Sequence, residues 1–279
     1  MSRTKFVLLG TGTPRYTPGR AQQSSTVIVD DQAYLIDCGD GTMVRIAEAA
    51  SRGLDALTFT RLTHLFLTHL HPDHTCGLPG LLIGPWVMRR RAALHIYGPP
   101  GTQTLVDGLL AAYHDGLEAH RNGLAPLNHP LAVEVHEVAA GQIYRDDRVT
   151  VTAFPVDHGH LDVYGLKFVT PDKVIVHSAD TRPTPSLLEH AQGCDILIHE
   201  VYLRQSLLDT FGPEWQRYHA TMHTSEIELA DIANQTRPKL LILNHQLIWG
   251  DHTIEDLLAG LTSRYDGPVV YGRDLDTFS

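Results

Sequence analysis

Long apolar runs are missing from this chain. The longest near the start is residues 6–9, too short for a signal-peptide core, and nothing elsewhere approaches the roughly 20 apolar residues of a membrane span. A soluble, cytoplasmic protein is the expectation. Cysteine is scarce: Cys38, Cys76 and Cys194 are widely spaced and odd in number, so they form neither a disulfide framework nor a CxxC zinc site, and they fit a reducing compartment. Positive charge is short as well. The 22 Lys and Arg face 32 Asp and Glu, for a formal charge of -10 at pH 7, which leaves no global basic surface for a phosphate backbone. Any nucleic-acid contact has to be local, and Arg89-Arg90-Arg91 is the one compact basic cluster. There is no linker rich in Gly and Ser and no repeat of solenoid length, so the 279 residues are expected to form a single domain, 1–279.

What is present is a regular alternation. Short β-rich runs at 5–9, 26–29, 34–36, 65–67, 94–97, 133–138, 149–154, 164–169, 173–176, 195–198, 240–243 and 269–271 predict about twelve strands. Helices are predicted at 41–51, 78–90, 102–117, 185–191, 225–234 and 254–262, the fifth opened by Thr224 as its cap. Strands come in groups with helices between them, which favours a layered α/β sandwich over a strict βαβ barrel. Gly98-Pro99-Pro100-Gly101 reads as a stiff turn, and the Gly, Asn and Pro over 116–130 as a loop able to cover a site.

The surplus is histidine: 18 residues, nearly as many as all Lys and Arg together, in a side chain that is the commonest metal ligand. Its spacing is informative. Thr68-His69-Leu70-His71-Pro72-Asp73-His74 follows one apolar strand and precedes a helical run. In extended backbone, alternate side chains point the same way, so His69 and His71 reach one ion while Asp73 and His74 face a second. Pro72 stiffens the loop and blocks helix formation at His71. Two cations need about three more ligands, ideally including a bridging carboxylate. His158, Asp180 and His245 each stand at or near the first polar position after an apolar strand, where a sheet delivers functional groups to one edge. Gly10-Thr11-Gly12 lacks a following GxGxxG or Lys-Ser/Thr pattern and reads as a tight turn, not a phosphate cradle. Cys76, close to His74, is expected to be a buried small hydrophobe.

Taken with Leu8-Leu9-Gly10-Thr11-Gly12-Thr13-Pro14, Tyr34-Leu35-Ile36-Asp37-Cys38-Gly39-Asp40-Gly41-Thr42, Gly77-Leu78-Pro79-Gly80-Leu81-Leu82, Ile96-Tyr97-Gly98-Pro99-Pro100-Gly101, Asp180-Thr181-Arg182-Pro183, Leu197-Ile198-His199-Glu200 and His223-Thr224-Ser225, these residues resemble the metallo-β-lactamase superfamily, and within it the ribonuclease Z-like branch. The resemblance runs over nearly the whole chain. It implies a four-layer αβ/βα sandwich, with one zinc held by His69, His71 and His158, a second by Asp73, His74 and His245, and Asp180 bridging. Manganese or iron are alternative metals. It further implies that His223 is a proton donor to the leaving group and Glu200 its supporting partner, with Asp73 orienting the nucleophile.

Two departures shape the function expected. The long Gly- and Pro-rich arm that ribonuclease Z enzymes use to grip tRNA falls between the positions of His158 and Asp180. Here those residues are only 22 apart, and the stretch reads as two strands and a turn. After the last ligand, Asn244-His245-Gln246-Leu247-Ile248-Trp249-Gly250 places apolar and aromatic groups where the branch shows Ser, Arg and Tyr. The expectation is a dinuclear metal-dependent phosphodiesterase on a small or partly apolar ester, using a metal-bridging hydroxide, with no membrane partner and acting as a homodimer. Alternatives are ribonuclease Z on tRNA, an arylsulfatase- or lactonase-type hydrolase, and a non-hydrolytic metal-binding module. His160, His177, His219, His252 and Trp249 have no role assigned by sequence.

Overall fold

The computed structural model describes residues 3–123 and 126–279. The chain divides into two compact units, one made of residues 1–10, 14–138 and 274–279, the other of 11–13 and 139–273. Each is built on a seven-stranded mixed sheet.

In the first unit the strands are β1 (Thr4–Gly10), β2 (Ser24–Val29), β3 (Gln32–Ile36), β4 (His64–Phe66), β5 (Leu94–Gly98), β6 (Val133–Glu137) and a C-terminal strand, β14 (Thr277–Phe278), in the order β14-β1-β2-β3-β4-β5-β6. β1 to β3 run as an antiparallel meander, and β3 to β6 pair in parallel. Parallel pairing requires crossovers, supplied by α1 (Thr42–Ser51), α2 (Pro72–Thr75), α3 (Leu78–Val87), α4 (Thr102–Ala112) and α5 (His114–Asn122). Their apolar stripes meet one face of the sheet: Ile46 and Ala49 of α1, Leu78, Leu81 and Leu82 of α3 and Val106 of α4 share a core with Leu35, Leu65, Leu94 and Ile96. Each fully buried Leu or Ile stabilises the unit by roughly 2 kcal/mol.

In the second unit the order is β13-β12-β11-β10-β9-β8-β7, with β7 (Gly141–Arg145), β8 (Thr150–Pro155), β9 (Tyr164–Val169), β10 (Val174–His177), β11 (Ile196–Tyr202), β12 (Leu240–Leu247) and β13 (Val269–Tyr271). β7 to β10 are antiparallel and β10 to β13 parallel. Its helices are α6 (Pro185–Ala191), α7 (Arg204–Thr210), α8 (Pro213–Met222), α9 (Glu226–Thr236) and α10 (Ile254–Thr262). Leu187, Leu229, Ala233, Leu257 and Leu261 from α6, α9 and α10 pack with Leu197, Leu241 and Leu243 of the sheet.

All twelve expected strands are present. β7 and β14 were not expected: β7 is Gly-Gln-Ile-Tyr-Arg with no buried residue, so it lacks the apolar alternation that marks a strand. The helix expected over 102–117 is two helices, interrupted at Tyr113. The one expected over 78–90 ends at Val87, and Arg89 has turned to φ 71. The loop expected over 116–130 is helical as far as Asn122, while residues 124 and 125 of that stretch lie outside the described residues. Ser225, not Thr224, caps α9, in a reciprocal box with Glu228. Thr224 Oγ1 instead donates to Thr181 O at 2.6 Å. Between His158 and Asp180 the chain makes β9, a turn from Thr170 to Lys173 closed by backbone bonding at 2.9 Å, and β10, as read. No helix among the described residues is long and apolar enough to cross a membrane.

Candidate functional site

In the first unit the metal-type side chains gather behind β4. His69 and His71 lie in the short connection to α2, and Asp73 and His74 lie on α2 itself. The expectation that Pro72 blocks helix formation at His71 holds: His71 stays extended, at φ -62 and ψ 148, and the helix begins at Pro72, its first helical position. Proline is favoured there because it lacks an N–H that would be unpaired anyway. One turn of helix thus turns Asp73 and His74 inward, where both are buried.

Asp37, at the end of β3, holds this connection. Its carboxylate accepts from Thr68 N at 2.8 Å and Thr68 Oγ1 at 2.9 Å, and His74 Nδ1 donates to it at 2.8 Å. With Nδ1 fixed in this way, His74 points Nε2 at Asp73 Oδ2, 3.7 Å away. His69 Nε2 and His71 Nδ1 lie 3.0 Å apart. The backbone is clamped too, by Cys38 N to His74 O at 2.7 Å and Gly77 N to Cys38 O at 2.8 Å. That approach needs glycine: a Cβ on Gly39 would lie 2.2 Å from Asp73 O. Asp37 adopts φ 56, a left-handed conformation that costs about 1–3 kcal/mol in a residue with a side chain and tends to persist at functional sites. The sequence alone gives Asp37 no role, because its partners are 31 and 37 residues away.

Cys76 departs from expectation. It is exposed, since it sits just past α2 on the side turned away from the core. Burial, then the charges of Asp40 and Asp73, raise its thiol pKa above the usual value, so it is no thiolate.

In the second unit His158 follows β8, Asp180 follows β10 and His245 lies inside β12. His158 Nδ1 donates to Met222 O at 2.6 Å, which directs Nε2 toward Asp180 Oδ2 at 3.9 Å. His245 Nε2 lies 3.4 Å from the same oxygen. His245 was expected just after its strand; it is instead an extra residue within it. β11 and β12 pair Glu200 with Asn244 and Val201 with Gln246, and His245, at φ 43, has no counterpart. This bulge also reverses the side-chain alternation, so that Ile248 joins Leu241 and Leu243 on the same core. Ala179, immediately before Asp180, is likewise left-handed at φ 59.

His223 follows α8 and is buried. Its Nδ1 donates to Glu200 Oε1 at 3.0 Å, and one atom each of His158, Asp180 and His223 lies within 4.8 Å of the others. Burial, then the charge of Asp180, pushes the Glu200 carboxyl well above its usual range, against the backbone N–H groups of Thr181 and Thr224.

The residues without an assigned role separate clearly. His160 is exposed. His177 is buried and its Nδ1 accepts from Ala179 N at 3.1 Å. His252 pairs with Asp209 at 2.9 Å, tying the end of α7 to the start of α10. His219 and Trp249 pack together with ring centroids 4.7 Å apart, and His219 lies 5.6 Å from His223.

This donor set suits divalent cations. Separations of 3.4–3.9 Å between His and Asp atoms exceed a hydrogen bond and approach the roughly 3.3 Å edge of a tetrahedron with zinc bonds near 2.0 Å. His74 and His158 each have the other ring nitrogen fixed by an oxygen acceptor, as ligand histidines usually do.

The family model described as the beta-lactamase superfamily domain matches residues 32–246. A ribonuclease Z of Mycobacterium bovis (strain BCG / Pasteur 1173P2) is 33% identical over 276 residues, covering 97% of this chain and 96% of that one. The chain belongs to the metallo-β-lactamase superfamily, in its ribonuclease Z-like branch. Members of this superfamily branch are metal-dependent hydrolases, and so is this chain. Solved structures agree on the metallo-β-lactamase fold. The metallo-beta-lactamase fold protein YhfI from Bacillus subtilis matches with a TM-score of 0.74 at 17% identity over 99% of this chain and 98% of that one. The short form of human tRNase Z matches at 0.73 and 22% identity, over 99% and 98%.

Proposed function

We propose that the chain is a dinuclear metal-dependent phosphodiesterase, acting as one domain over 1–279. One zinc would be held by His69, His71 and His158, a second by Asp73, His74 and His245, with Asp180 bridging; manganese or iron are the alternatives. Bound there, the ions supply Lewis acidity toward a phosphoryl oxygen and a nucleophile at neutral pH. The remaining work falls to side chains. Asp73 orients the attacking water. His223 hands a proton from Nε2 to the departing oxygen, because its Nδ1 is committed to Glu200. Glu200 keeps that ring from turning.

The observation that carries the reading is the grouping of His158, Asp180 and His223 in the second unit, which sets a carboxylate-anchored imidazole beside two ligand-type groups. Phosphodiester chemistry is favoured over other esters because the names ribonuclease Z and tRNase Z both denote RNA cleavage. On substrate size two observations pull apart. The -10 net charge and the exposed Trp215 and Tyr218 around His219 favour a small, partly apolar phosphodiester. The Mycobacterium bovis relative favours precursor tRNA: 276 aligned positions make up 96% of it, so it has no room for a long arm either.

Zinc- and manganese-loaded protein offered bis(p-nitrophenyl) phosphate and a 3′-extended precursor tRNA tests this. Hydrolysis of the small diester with little cut RNA fits a small substrate; accurate RNA cleavage at physiological salt fits ribonuclease Z. Hydrolysis of neither by metal-loaded protein overturns the phosphodiesterase. The homodimer and the cytoplasmic setting expected from sequence belong to the same proposal, and light scattering after gel filtration tests the first.

A further inference from the structure

We propose that the first unit carries an additional, mononuclear metal site on β5 and β6, built from His95, Glu134 and His136 and suited to zinc or another borderline divalent cation. Strand alternation assembles it. In β5, Leu94 and Ile96 are buried in the helix-side core while His95 and Tyr97 occupy the other face, half-buried. In β6, Val133 and Val135 pack on that core, which turns Glu134 and His136 to the face of His95. The register pairs His95 with Glu134 and Tyr97 with His136.

His95 Nδ1 is therefore 3.4 Å from Glu134 Oε2 and 3.4 Å from His136 Nε2. One atom from each of the three lies within 4.8 Å of the others. A separation of 3.4 Å is long for a hydrogen bond and close to the roughly 3.3 Å ligand-to-ligand distance around tetrahedral zinc. The rings are already held. His95 stacks between His64 and His136, each with centroids 5.6 Å away, and His136 stacks on Tyr97 at 4.5 Å. Ordering the ligands on binding thus costs little side-chain entropy.

The His95 side chain is 31% exposed and that of Glu134 58%, so a cation has access and water completes the coordination. Two imidazoles and one carboxylate with an open position suit zinc better than magnesium or calcium. β6 ends its sheet, and an ion shared by His95 and His136 would fasten that edge strand to its neighbour. The site shares no residue with the proposed hydrolytic centre, so the two stand or fall separately.

The test counts metal. Full-length wild type and a His95→Gln/His136→Gln variant are stripped, dialysed against micromolar zinc alone and analysed for zinc per chain. The variant is expected to hold one equivalent fewer, and zinc should raise the melting temperature of wild type more than that of the variant. Equal zinc in wild type and folded variant overturns the site, as does a difference that appears only at millimolar zinc, the mark of an adventitious ion only. Glu134→Gln, at an exposed position, keeps the test decisive if the double variant does not fold. It should weaken the additional equivalent at least tenfold, and unchanged affinity overturns the three-ligand assignment.

Discussion

Glu200 Oε1 receives the His223 Nδ1 proton at 3.0 Å and, on the same oxygen, the backbone N–H groups of Thr181 at 3.0 Å and Thr224 at 3.3 Å. One atom of β11 thereby fixes the loop after β10 that carries Asp180 and the segment after α8 that carries His223. A glutamine in its place keeps the shape but can turn its NH2 toward these donors, which loosens the hold on His223 Nδ1.

Glu200→Gln should therefore lower kcat on an alkyl phosphodiester by about 10- to 100-fold and on a p-nitrophenyl phosphodiester much less, because a proton donor matters only where the departing oxygen is basic. Steady-state kinetics on the matched pair measure this. Equal losses on both would assign Glu200 to binding or structure.

Asp37→Asn should weaken metal binding by about 10- to 100-fold while the chain stays folded, since the amide no longer fixes His74 as the carboxylate does. Equilibrium dialysis against zinc, with circular dichroism as the folding control, reads both. Unchanged affinity would show that His74 needs no such partner.

Gly39→Ala adds a methyl 2.2 Å from Asp73 O and 2.7 Å from Gln22 Cβ. Overpacking of this kind costs about 1–3 kcal/mol, so the melting temperature should fall by several degrees and metal affinity with it. Gly53→Ala is the contrasting variant, because a methyl there meets nothing within 4 Å and pays only for its φ of 94. A smaller loss at Gly39 than at Gly53 would contradict the clamp.

Burial pushes the pKa of His199 down to about 4, so the folded chain keeps it neutral while an unfolded chain protonates it near 6.5. Below 6.5 the unfolded state binds the extra proton. The stability His199 permits is thus complete above pH 6.5 and declines as pH falls toward 4, by up to about 3 kcal/mol. Urea unfolding at pH 7.5 and pH 5 should show a smaller decline for His199→Gln than for wild type, and parallel declines would contradict it. His219, also pushed down to about 4, adds to the same slope in both.

Ellman's reagent should label one thiol in the native chain and three in urea. Cys38 and Cys194 are buried, with thiols pushed up to about 12 by that burial, whereas Cys76 is exposed. Because the Cys76 thiol is itself raised, its labelling should keep accelerating as pH climbs beyond the ordinary thiol range.

The strands were legible because nearly all are apolar, β-branched runs closed by turns, and His69, His71, Asp73 and His74 were legible because they are crowded into six positions. What escaped depends on distance or lacks pattern. Asp37 reaches Thr68 and His74 only because β3 and β4 pair in parallel, and no local signal in the sequence announces that. α8 was missed because none of its residues is buried, so no apolar stripe marks it. His95, Glu134 and His136 share no local pattern in the sequence, and only the β5–β6 register sets them side by side.

The bulge at His245 has a genetic consequence. Removing that one residue would restore an unbroken ladder between β11 and β12 and still leave Leu241, Leu243 and Ile248 on their shared core. A three-nucleotide deletion therefore separates a strand that carries His245 from one whose core-facing residues are unchanged without it. Single-codon insertion and deletion, more than substitution, is the mutational step by which this strand can gain or lose its histidine at little cost to the apolar contacts beneath it.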